Sequence, residues 1–317
     1  MLDAYTVVFA GLLIPAGIAS DRFGRRRVML AGLVVFGIGS GLAALSWSVW
    51  WLVAMRAVMG AGGALVLPAT LAVVVQVFPA AQRPRAFAIW FAVASGALAI
   101  GPVLGGLIVS WWSWAGVFLI NPPIVVAAVM GIVCLVPESC DPDTRPLNFL
   151  AVGLVTVGLC ASTEAVITLG ESRPSAVTVV GAGVIASAAL GGFGWQQYRA
   201  LTPMVDFSLY RNGQFAGASA AVALVAAGGV VSLFALTQHL QLVRGYSTFA
   251  AGLAVLPLAV GTVLGSLFGG RTPAWIGAQR SSVAGLLMIT VGFAVLAVLT
   301  PFSGYSVAGI GLFLVGR

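Results

Sequence analysis

Ten long apolar stretches, separated by short polar gaps, restrict what this chain can fold into. A bilayer core about 30 Å thick is crossed by about 20 mostly apolar helical residues. An isolated segment in lipid can satisfy its own backbone only as a helix. On that basis the sequence predicts spans over 4–20, 28–45, 49–77, 86–110, 115–136, 149–168, 177–193, 214–238, 250–268 and 281–299. An eleventh begins near Tyr305 and is cut off at Arg317. The predicted fold class is an all-α polytopic membrane protein with about ten complete transmembrane helices and a truncated eleventh.

Composition removes the soluble alternatives. Only 7% of the 317 residues are charged and 60% are hydrophobic, whereas a soluble domain is about one-quarter charged. The 41 glycines fit as well, because small residues let membrane helices approach closely. A net charge of +7 does not mark a nucleic-acid partner here. The arginines sit in gaps between apolar runs, which is the loop bias of membrane proteins. Cys134, Cys140 and Cys160 have no spacing that suggests a disulfide framework or a metal site. The first twenty residues lack the basic start of a signal peptide and read as a span.

Arginine placement predicts orientation. Every second gap holds them: Arg22, Arg25, Arg26 and Arg27, then Arg83 and Arg85, Arg145, Arg199 and Arg211, and Arg271 and Arg280. The alternate gaps hold only Arg173 and Arg244. The first set is expected in the cytoplasm, with the amino terminus outside. Trp47, Trp50, Trp51, Trp111, Trp112 and Trp114 would mark the outer interface, and Trp195 and Trp275 the inner one. An outer start leads to the expectation of one further helix before Met1.

One loop recurs. Gly17-Ile-Ala-Ser-Asp21-Arg22-Phe-Gly24-Arg25-Arg26-Arg27 has a counterpart in Gly270-Arg-Thr-Pro-Ala274-Trp275-Ile-Gly277-Ala-Gln-Arg280. Both glycines and a terminal arginine match, but the second copy has lost Asp and Arg to Ala274 and Trp275. Repeated halves are a feature of carriers, so two bundles are expected. The predicted domains are an N-terminal bundle over 1–137, a central linker with two extra helices over 138–213, and a partial C-terminal bundle over 214–317. Within the linker, 194–213 reads either as an interfacial amphipathic helix or as a simple connector.

The loop around Asp21 pairs an acid suited to a helix N-terminus with nearby arginines. Gly17 and Gly24 permit tight backbone paths. The cluster could hold one conformation of a rocking bundle, or its arginines could serve orientation only. Arg56 lies about 10 Å below the outer interface at 1.5 Å per residue. A charged residue near a membrane-helix centre costs about 2.5–3.5 kcal/mol on insertion scales. It therefore needs a partner, a wet cavity or an outward path past Trp50 and Trp51. The run Gly101-Pro102-Val-Leu-Gly105-Gly106 suggests close packing and a bend. Glu164 and His239 are candidate proton or substrate contacts, or else polar residues at the interface. Asp3 could pair with Arg56.

Several of these segments resemble signatures of the major facilitator superfamily. Gly17 to Arg27, with Asp21, Arg22, Gly24, Arg25 and Arg26, looks like its motif A. Arg56-Ala-Val-Met-Gly60-Ala-Gly62-Gly63-Ala64 resembles motif B, with Met59 where the family often has Gln. Gly101, Pro102, Gly105 and Gly106 resemble motif C, a signature of antiporting exporters. Asp3-Ala-Tyr5, Asn121-Pro122-Pro123 and Pro137-Glu138-Ser139 fit the fourteen-span drug:proton antiporter branch, as do the two extra central spans. The resemblance implies a two-bundle transporter in which motif A gates, Arg56 and Gly60 serve proton coupling, and Asp3 and Tyr5 join the contacts. That family's first helix carries a coupling acid, and nothing in this chain clearly replaces it.

The expected function is proton-driven efflux of drugs, antibiotics or other hydrophobic small molecules by alternating access. Export of one specific metabolite is the alternative within transport, and a truncated, non-transporting membrane protein is the alternative outside it. No G-x-x-x-x-G-K-[ST] loop supports ATP-driven pumping, and no catalytic constellation suggests an enzyme or a cofactor. The partners implied are a small hydrophobic or amphipathic substrate, protons and the lipid bilayer, with no nucleic acid. The implied location is the plasma (inner) membrane.

Overall fold

The helices of the computed structural model fall where lipid would require them. It describes residues 4–139, 148–170, 175–200, 203, 205, 207–269, 277–298 and 305–316. The first four helices are α1 (Ala4–Phe23), α2 (Arg25–Ala44), α3 (Val49–Val77) and α4 (Arg83–Trp111). They are followed by α5 (Gly116–Leu119), α6 (Asn121–Leu135), α7 (Phe149–Leu169), α8 (Ala176–Arg199) and α9 (Gly213–Gln238). The last are α10 (Thr248–Leu253), α11 (Leu256–Gly269), α12 (Ala278–Ala297) and α13 (Tyr305–Gly316). Among the described residues, eight helical stretches are long and apolar enough to cross a membrane. The chain is a multi-pass membrane protein.

Side-chain caps fix several starts by accepting from N–H groups left free in a first helical turn. Asn148 accepts from Leu150 and Ala151 at 3.1 and 3.2 Å, Ser175 from Thr178 at 3.3 Å, and Ser247 from Ala250 at 3.2 Å.

Two predicted spans are interrupted, and proline accounts for both. The 115–136 run divides into α5 and α6 at Ile120. Pro122 has no N–H for the Phe118 carbonyl four residues earlier. That carbonyl accepts from Ser40 Oγ at 2.8 Å instead, and Asn121 Nδ2 donates to Ser40 Oγ at 2.9 Å. Ser40 is fully buried, so the break is welded to α2. The 250–268 run divides between Leu253 and Leu256, where Pro257 likewise cannot bond back to Leu253.

The stretch 194–213 is not one amphipathic helix. Gln196 to Arg199 form the last turn of α8, and Phe207–Arg211 make a separate 3-10 turn. Gln197 is buried, and its side-chain oxygen accepts from Val205 N–H at 3.4 Å.

By contact the chain forms two compact units, 1–77 with 114–206 and 78–113 with 207–317. In the first, α1 and α2 both lie along α3, α7 packs on α1, and α8 packs on α7. A Cβ added at Gly62 would sit 2.6 Å from the Phe36 nitrogen of α2, so only glycine allows that crossing. Ala151, Val155 and Phe193 form a buried cluster against Ile14 of α1. In the second unit, α4 lies against α10 and α11, α13 against α11 and α12, and α12 also touches α9. Its core gathers Leu236, Leu240, Ala251, Ala254, Ala308 and Leu312.

Candidate functional site

The turn from α1 to α2 is a single residue, Gly24, at φ 98° and ψ 127°. That conformation is essentially restricted to glycine, and a Cβ there would also lie 2.5 Å from Glu138 Oε1. The turn sets Asp21 and Arg25 four residues apart. Arg25 Nε and Nη2 donate to Asp21 Oδ1 at 3.1 and 2.9 Å. The third donor of the guanidinium, Nη1, reaches Gln76 Oε1 near the end of α3 at 3.0 Å.

The same turn is fastened to the segment after α6. The Arg25 N–H, a free donor in the first turn of α2, bonds to the Ser139 carbonyl at 2.9 Å. Arg27 Nε lies 3.3 Å from Glu138 Oε2. Arg26 Nη2 donates to the Val133 carbonyl at 2.8 Å, a cation at the C-terminal end of α6 where the helix dipole favours one. Asp21 is 49% exposed, so its ion pair alone contributes only about 0.2–1 kcal/mol. The consequence is positional: one residue, Arg25, joins α1, α2, α3 and the segment following α6.

Not every motif residue joins in. Arg22 points away, its guanidinium carbon 5.7 Å from the Phe23 ring centroid. A Cβ at Gly17 would meet Pro68 Cβ of α3 at an ordinary 3.7 Å. Gln76 was not singled out from the sequence, and Pro137-Glu138-Ser139 was noted only for its family pattern.

Deeper in the first unit, Arg56 lies with its guanidinium carbon 5.1 Å from the centroid of the Tyr5 ring, within cation–π range. Glycines on α3 bring the ring there. A Cβ at Gly60 would fall 2.5 Å from the Tyr5 carbonyl oxygen, and one at Gly63 would fall 2.9 Å from the Tyr5 hydroxyl. Tyr5 also stacks on Phe9 at 5.7 Å. Tyr5, Arg56 and Gly60 are therefore brought together; Asp3 lies outside the described residues.

The residues of the Gly101–Gly106 segment differ in how closely they are packed. Helix α4 runs unbroken through Gly101, Pro102, Gly105 and Gly106, and Gly106 is buried. A Cβ at Gly101 or Gly105, however, would meet no atom within 4 Å among the described residues. The close approach is made by Val103, whose nitrogen lies 3.0 Å from a Cβ placed at Gly252 of α10. At 3.6 residues per turn, Val103 and the pair Gly101 and Gly105 face different sides of α4. The tight contact therefore falls on the side of α4 away from Gly101 and Gly105, and Gly106, three residues on from Val103, lies on the contact side. Of the remaining candidates, Glu164 is exposed on α7. His239 is half-buried and opens a π turn, His239–Val243, at the end of α9.

Residues 1–316 match the model of the Major Facilitator Superfamily. The chain belongs to that superfamily. Over 295 residues it is 35% identical to the multidrug efflux pump LfrA of Mycolicibacterium smegmatis, covering 92% of this chain and 58% of that protein. Over 297 residues it is 32% identical to the multidrug resistance protein Stp of Mycobacterium tuberculosis, covering 93% and 55%. Over 310 residues it is 31% identical to the methyl viologen resistance protein SmvA of Salmonella typhimurium, covering 96% and 61%. The chain thus spans less than two thirds of the length of these relatives. Its family is one of transporters, and its environment is a membrane.

Proposed function

We propose that this chain is the membrane part of a proton-driven exporter of drugs, antibiotics or other hydrophobic small molecules, of the fourteen-span antiporter type, acting at the plasma membrane. The names of its relatives support the substrate class. The turn centred on Arg25 supports alternating access and is the observation that carries the reading. A bundle that rocks needs a fastening that holds in one state and can release in another. Half-exposed ion pairs and single hydrogen bonds, each worth about 1 kcal/mol, have the right strength for that.

In this reading Gly17, Asp21, Gly24, Arg25 and Arg26 form the gate, with Arg22 free to face solvent. Arg56, seated on Tyr5 beside Gly60, provides a fixed positive charge. Such a charge favours the ionised form of a nearby carboxyl and so promotes proton release; Asp3 is the candidate carboxyl. The segment Gly101–Gly106 contributes the antiport function through α4. The bundles are 1–137 and 214–317, joined by 138–213 with its two added helices. The arginine-rich loops face the cytoplasm and the amino-terminal end of α1 faces outward. Exposed Trp50, Trp111 and Trp112 suit an outer aromatic belt.

The test uses cells stripped of their own exporters, expressing the gene and loaded with ethidium. The reading expects the dye to leave against its gradient and to be retained once a protonophore is added. Equal retention with and without the gene would overturn it.

A further inference from the structure

Within the second unit, a cavity of about 360 Å³ opens between α9 and α12, inside the range of about 300–1,000 Å³ typical of small-molecule sites. Its back wall rests on the core, because Leu236 belongs to the buried cluster that also holds Leu240 and Leu312, and Leu296 packs against that cluster. One side is an aromatic face. Gly228 lets the Phe293 ring press against α9, since a Cβ there would lie 2.7 Å from the ring. Ser232, Leu236 and His239 line the cavity at spacings of four and three residues, which places them on one face of α9. The helix widens into its π turn at His239, a distortion frequent at functional sites. The cavity therefore has hydrocarbon walls, one ring and two hydrogen-bonding side chains about 10 Å apart along the helix.

We infer that this cavity is a binding site for a neutral, ring-sized apolar molecule carrying a hydrogen-bonding head, which the His239 imidazole receives, with the Ser232 hydroxyl placed for a second polar group at the molecule's other end. Among the described residues the walls carry no Asp, Glu, Lys or Arg, so an ionic headgroup finds no counter-charge there. A hydroxyl or amide can donate to the imidazole or accept from it. The inference stands on the geometry of this unit alone and does not require export.

The test is photolabelling of the chain in phosphatidylcholine nanodiscs with 4-hydroxybenzophenone, a compact neutral ketone with a phenolic head. Mass spectrometry then locates the adducts. Saturable labelling of peptides covering 231–239 and 293–297 is expected, with unlabelled 4-phenylphenol competing. Ala235→Trp, which fills the space, should lower that labelling about tenfold, and Ser232→Phe is a second filling variant should the first not fold. His239→Leu should raise the half-saturating concentration about fivefold, the loss of one hydrogen bond. Non-saturable labelling spread evenly over lipid-facing helices, unchanged by either filling variant in folded protein, would mean partition into bilayer lipid only and would overturn the inference.

Discussion

Gly24 before α2 and Gly277 before α12 share a backbone conformation but differ in their described surroundings. Gly24 stands at φ 98° and ψ 127°, and Gly277 at φ 85° and ψ 151°. Each is the last residue before its helix. Around Gly24 stand Asp21, Arg25, Gln76 and Glu138 in hydrogen bonds or ion pairs. A Cβ at Gly277 would meet no atom within 4 Å among the described residues, and Arg280 is exposed. Gly270, Ala274 and Trp275 lie outside the described residues. A glycine of positive φ precedes the helix in both copies, and the first copy sets it within a network of charged side chains.

The sharpest way to break this comparison is at the glycines themselves. Gly24→Val meets both a forbidden φ, costing about 1–3 kcal/mol, and the Glu138 carboxylate. Gly277→Val meets the φ cost with no clash among the described residues. Thermal unfolding in detergent should show the larger drop for Gly24→Val; an equal or larger drop for Gly277→Val would break the comparison.

Next in size is Arg25→Ala, which removes the residue joining four segments and should slow export about tenfold, equivalent to about 1.4 kcal/mol. Arg280→Ala at the second loop should leave export within about twofold, as surface changes away from such features usually do. Arg25→Lys should rescue poorly, because a single ammonium does not reproduce the planar donor fork that meets Asp21 and Gln76. The smallest effect belongs to Glu138→Gln. It removes a pair whose Arg27 side chain is 78% exposed, so the unfolding free energy should move by less than about 1 kcal/mol.

The spans were legible because lipid tolerates so few alternatives: an apolar run of the right length has to be a helix. The interruptions at Ile120 and after Leu253 were also written in the chain, at Pro122 and Pro257, but a reading by average apolarity passes over one missing donor. The turn at Gly24 was legible through Asp21, the glycines and the arginines. Its fastening was not, because Gln76 and Glu138 lie 51 and 111 residues from Arg25 and Arg27 and nothing local announces them. The side of α4 that packs closely was hidden for a different reason. Gly101 and Gly105 look like contact residues, yet the glycine that closes the contact, Gly252, is on the opposing helix.

The most direct measurement is the initial rate of ethidium expulsion under an imposed pH gradient, compared for the unaltered protein, Asp21→Asn and Asp21→Glu at equal membrane abundance. The account predicts gradient-dependent expulsion that Asp21→Asn slows several-fold with an unchanged KM and that Asp21→Glu largely restores. Full-rate expulsion by Asp21→Asn would contradict it, as would a rate indifferent to the gradient.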